Sequence, residues 1–139
     1  MALIDIDGAL IQAYIDLAMG LSTAYEGEEH KPPIDGSDWA KVSIVPAVID
    51  YNSLGEGGTD KHLGFMQIDF NVAPGTGRAA LLGYAQTIRT EFVGGKSYTL
   101  NSQNVRIDTV DRSAVREIDG WTRISVTVNW EAETSRPAI

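Results

Sequence analysis

At 139 residues, with 43% hydrophobic and 22% charged residues, the chain has the size and balance of one soluble globular domain. It has no cysteine, which excludes disulfides and thiolate metal sites. Eleven basic residues are scattered among nineteen acidic ones for a formal net charge of −8, so a phosphate-gripping surface is not expected, and no stretch approaches the roughly 20 apolar residues of a membrane span.

The N-terminus lacks the basic start and apolar block of a signal peptide, so neither export nor insertion is expected. Leu3, Ile6, Leu10, Ala13 and Leu17 recur at helical spacing and predict a helix over Asp5–Met19, stopped by Gly20. Ile4, Ile11, Ile15 and Ala18 are also apolar, leaving Asp5, Gln12 and Asp16 as a narrow polar stripe. Such a helix needs cover on more than one side, from its own domain or from a neighbouring subunit.

Thr23–Lys31 reads as extended, and Pro32-Pro33 with Asp35-Gly36 marks a turn. Trp39–Val45 alternates, with Ala40, Val42 and Ile44 on one face and Lys41 and Ser43 on the other; Pro46 weakens its end. Tyr51–Asp60, rich in glycine, is expected to be a loop. His62–Val72 is the clearest strand, with Met66, Ile68, Phe70 and Val72 facing inward and Gln67, Asp69 and Asn71 facing away. Pro74-Gly75-Thr76-Gly77 breaks it, Thr76 is the expected N-cap, and a second helix follows over Arg78–Phe92 until Gly94-Gly95.

Ser97–Leu100 pairs with Val105–Asp111 around a polar turn, and Asp119-Gly120 turns the chain into a strand over Trp121–Glu133. There Ile124, Val126, Val128 and Trp130 are the inward candidates. Thr134–Ile139 reads as a flexible tail after a single domain over residues 1–133. The order predicts an α+β fold: a mainly antiparallel or mixed sheet with two helices packed on one face. The sheet's other face would carry Lys41, Ser43, Gln67, Asp69, Asn71, Ser125, Thr127 and Asn129.

Little in the chain organises chemistry. His30 and His62 have no metal-ligand spacing around them, and no serine sits in Gly-x-Ser-x-Gly. Gly75-Thr76-Gly77-Arg78 lacks the Lys-Ser/Thr pair of a phosphate-binding loop. The acidic groups at Glu26, Glu28 and Glu29, and at Asp108, Asp111, Glu117 and Asp119, fit solvated edges better than a calcium loop. No catalytic residue, metal or cofactor is expected.

An ordered set of segments resembles the tail terminators of long, non-contractile-tailed phages, related in fold to the lambda terminator. It comprises Ala9-Leu10-Ile11-Gln12-Ala13, Thr23-Ala24-Tyr25-Glu26, Pro32-Pro33 and Trp39-Ala40-Lys41-Val42, then His62 through Asp69 into Pro74-Gly75-Thr76-Gly77, and Gly120 through Trp130. The resemblance implies a virion tail protein made in the host cytoplasm. It would form a ring, commonly a hexamer, that caps the tail tube, stops its polymerisation and docks the head. Its partners would be copies of itself, the major tail tube protein and a head–tail connector, with DNA passing through the lumen without specific binding and with no membrane. A head–tail connector or tail-tube subunit, and a small-molecule-binding or hydrolytic domain, are the alternatives. The interface candidates are Ile4, Ile11 and Ile15 on the first helix, Tyr51, Leu54 and Glu56 in the loop, and Lys61, Gln67, Asp69 and Asn71 on the polar sheet face.

Overall fold

The computed structural model describes residues 2–27, 31–51 and 58–135. Along these residues run α1 (Ala2–Asp16), β1 (Ser22–Tyr25), β2 (Trp39–Tyr51), β3 (Thr59–Val72), α2 (Ala79–Glu91), β4 (Ser97–Leu100), β5 (Gln103–Arg112), β6 (Arg116–Ile118) and β7 (Trp121–Ser135). Among the described residues the seven strands form one sheet in the order β1-β2-β3-β7-β5-β4, with β6 paired to β7. β1 lies parallel to the first four residues of β2, and every other pair is antiparallel. The fold is thus α+β with a mixed sheet.

Alternation places the core. Met66, Ile68, Phe70 and Val72 of β3 and Ile124, Val126, Val128 and Trp130 of β7 are all buried, as the pattern predicts. They join Ile6, Leu10 and Ala13 of α1 and Leu81, Ala85 and Ile88 of α2 in one apolar cluster. Each large aliphatic or aromatic side chain so buried contributes about 1.5–3 kcal/mol. α1 reaches strands at both ends of the sheet path. Tyr14 hydrogen-bonds Thr23 of β1 at 3.1 Å, and Gly8 lies so close to Leu100 of β4 that a Cβ there would sit 2.6 Å from it. The sheet therefore curls to bring its outer strands to one helix.

Several boundaries differ from the pattern. α1 ends at Asp16 rather than Met19, because Ala18 already turns left-handed (φ 48°) and Leu17 and Ala18 tighten into i→i−3 bonds with Tyr14 and Ile15. The extended stretch expected from Thr23 is only the short β1; residues 28–30, including His30, Glu28 and Glu29, lie outside the described residues. β2 runs through Pro46 with a register shift between Pro46 and Val48, and pairs with β3 as far as Tyr51↔Asp60. The expected Tyr51–Asp60 loop is thus narrowed from both ends.

Thr76 is not the N-cap of α2; that place is Arg78, which makes no side-chain capping bond. The first hairpin of the last third has a tighter turn than expected. Asn101 and Ser102 both take positive φ (49° and 68°), as a type I′ turn requires. β6 is a strand that the pattern did not mark. β7 continues to Ser135, two residues into the expected tail, because Thr134 and Ser135 pair with Asp60 and Thr59.

Candidate assembly surface

Steps of seven and four residues carry Ile4, Ile11 and Ile15 along one side of α1. Ile4 is 70% exposed and Ile15 48%, while Ile11 is half-buried. Asp7 lies within the same stripe. A shallow groove beside it is lined by Asp7, Ile11, Tyr25, Glu26, Val42 and Ile44. Partial burial, then the negative charge of Glu26, pushes the Asp7 carboxyl above its ordinary range.

The flank beside this groove is the outer edge of β2. β1 covers only Trp39–Val42, so from Ser43 onward that edge has no strand partner among the described residues. The Ile44 N–H donates to Glu26 Oε1, so it points away from β3. With a period of two, position 46 points the same way, which is why a proline without an N–H fits there. Val45 and Ile49 are exposed apolar residues on this strand. Val45 continues the outward row of Lys41 and Ser43, whereas Ile49 lies beyond the register shift after Pro46, where the alternation no longer marks a face.

The polar sheet face is not one solvated surface. Asp69 is 7% and Asn71 0% exposed, and both are occupied internally. Ser125 Oγ donates to Asp69 Oδ1 at 2.5 Å and Gln67 Nε2 donates to the same oxygen at 3.0 Å. Arg116 Nη2 reaches Ser125 Oγ from β6 at 2.7 Å, and its Nη1 reaches Ser113 Oγ at 2.7 Å. Arg123 Nε donates to Asn71 Oδ1 at 2.7 Å, and Asn71 Nδ2 donates to the carbonyls of Asp69 and Trp39. Trp121 stacks edge-on against Trp39 over the same corner. β6 and its arginine are thus a cover over this end of the face, and sequence reasoning saw neither.

Toward the other end, Lys61 and Arg106 both pair with Glu131, each at 3.2 Å. Tyr51 closes β2, and Leu54 and Glu56 lie outside the described residues. His62 is buried and shares a 2.7 Å hydrogen bond with Thr134. No group of three potential metal ligands occurs among the described residues.

A family model described as phage tail terminator protein matches residues 5–130. The chain belongs to the phage tail terminator family. It is therefore a structural component of the phage tail, in a family of structural virion proteins rather than of enzymes. The matched span runs from the first turn of α1 to Trp130 in β7, so it takes in Ile11 and Ile15 of the helix stripe and the inner strands of the sheet, and begins one residue after Ile4. The terminator's fold is also similar to that of a solved structure at a TM-score of 0.74. The two share 14% identity, over 91% of this chain and 92% of the other. That likeness concerns the fold alone. No curated protein matches the terminator in sequence.

Proposed function

We propose that this terminator forms a closed ring, commonly of six copies, that caps the tail tube, halts its polymerisation and offers the head its docking face at the tail–head junction. The family match over residues 5–130 carries the reading. The exposed Ile4 and Ile15 support it, since an assembly subunit needs apolar surface left over after its own core is built. The major tail tube protein and a head–tail connector are the partners in this reading. A domain with its two helices on one face, as in the lambda terminator, belongs to it as well; the apolar cluster that both helices share with the sheet supports that arrangement. The chain's −8 charge suits a lumen that lets DNA pass without gripping it.

The test is to add the purified protein to polymerising tube subunits and follow tube length by electron microscopy. Shortened tubes with a ring at one end are expected. Tubes that elongate as they do without the protein refute the capping role, and filaments of this protein alone identify a tube subunit instead.

A further inference from the structure

Two patches beside different strands of the sheet, one next to β1 and β2 and the other next to β5, are opposite in charge. We infer that they meet between adjacent copies: the α1 stripe of one protomer, Ile4, Ile11 and Ile15, docks in the groove between α2 and β5 of the next. This rests on the ring reading and names the contact that closes the ring.

The stripe is acidic at its border. Asp7 lies within it and Glu26 faces it across the small groove, on the β1–β2 side of the molecule. The receiving groove lies on the β5 side. Leu82, Ala85, Val110 and Val126 give it an apolar lining, and Arg89 and Arg112 bring two positive charges against one carboxylate, Asp111. Both arginines are exposed, and neither has an ion-pair partner among the described residues. An apolar strip with an acidic border thus meets a groove whose small apolar floor, nearly buried at Ala85 and Val126, is framed by a polar rim with a basic excess.

The alternative, stripe against stripe, brings Asp7 and Glu26 of two copies together. In a chain of net charge −8 that arrangement repels. Docking at Arg89 and Arg112 instead places guanidinium groups near Asp7, whose charge burial and Glu26 already disfavour. Contact between two different patches is also what cyclic closure requires.

The test uses two variants of the full chain, a stripe variant, Ile4→Gln with Ile15→Gln, and a groove variant, Arg89→Glu with Arg112→Glu. All four positions are exposed, so both variants should melt near the wild type. Analytical ultracentrifugation is run where the wild type closes into rings, free or on tube ends. Each variant alone is expected to associate at least tenfold more weakly than wild type. Their equimolar mixture should give one-to-one dimers and no rings, because one intact stripe meets one intact groove. Variants that close rings as the wild type does, or a mixture that gives no dimer, overturn the contact.

Because the chain has no cysteine, Ile15→Cys and Gln86→Cys can be paired for cross-linking. A 15-to-86 link is expected between copies, and a dominant 15-to-15 link overturns the proposal. Wild-type rings with indifferent variants sink the contact alone; no wild-type ring under any condition sinks the ring reading with it.

Discussion

Gly64 sits in β3 with the Trp130 indole on one side and the backbone of β2 on the other. A methyl group at this position would lie 2.6 Å from Trp130 Cζ2 and 2.6 Å from the Val45 carbonyl oxygen. Comfortable carbon contacts are about 3.5–4.0 Å, so the ring must retreat by roughly 1 Å while β2 retreats the other way. Neither moves easily. Trp130 is buried, and β7 is paired on both sides, with β3 and with β5. Overpacking of this kind costs about 1–3 kcal/mol, and the backbone carbonyl puts Gly64→Ala near the upper end. Restricting the unfolded chain returns about 0.4–1 kcal/mol.

The expected loss is about 2 kcal/mol, which at this chain length lowers the melting temperature by roughly 8 °C. Thermal unfolding followed by circular dichroism measures it. In a Trp130→Leu background the cost of Gly64→Ala should shrink without vanishing, because the Val45 oxygen remains. A Gly64→Ala protein that melts at or above the wild-type temperature refutes the packing argument.

Tyr84 donates a hydrogen bond to Asp38, and burial first, then Asp38, pushes its pKa up to about 12. Spectrophotometric titration should show one tyrosine ionising about two units late, and Asp38→Asn should bring it only part of the way back. Because the unfolded phenol titrates near 10, this contribution to stability is whole below pH 10 and is lost as the pH rises through 12. Ser125→Ala removes the donor to buried Asp69 and the acceptor of Arg116, and should cost about 2 kcal/mol in urea unfolding; a change under about 0.5 kcal/mol would make the network incidental. Ser102→Gly should stabilise by up to about 1 kcal/mol, since Ser102 holds φ 68° in a two-residue turn; a destabilised variant would count against the type I′ assignment.

The elements with undisturbed periodicity were legible from the sequence. β3 and β7 alternate cleanly, and their inward residues are the buried ones. α2 was placed within a residue at each end. What escaped depended on events that no local pattern records. β2 passes a proline because that position faces away from its partner, a fact set by pairing rather than by composition. β6 is three residues long and exists through its pairing with β7. Gln67, Asp69 and Asn71 read as an outward polar row, and outward they are. Yet Asp69 and Asn71 are buried, because Arg116 and Arg123 arrive from sequence positions about fifty residues away. The first helix gave the clearest hint of the candidate surface. Its apolar residues go more than half-way round, and Ile4 and Ile15 are left uncovered.

The border of β2 beyond its short parallel neighbour has one further consequence. A strand approaching from outside would look for a free amide at Ile44 and another at position 46. Glu26 has taken the first, and proline never had the second. The ladder cannot start at either position, so this stretch of the margin resists zipping onto a neighbour's sheet and must greet other chains with its side chains instead.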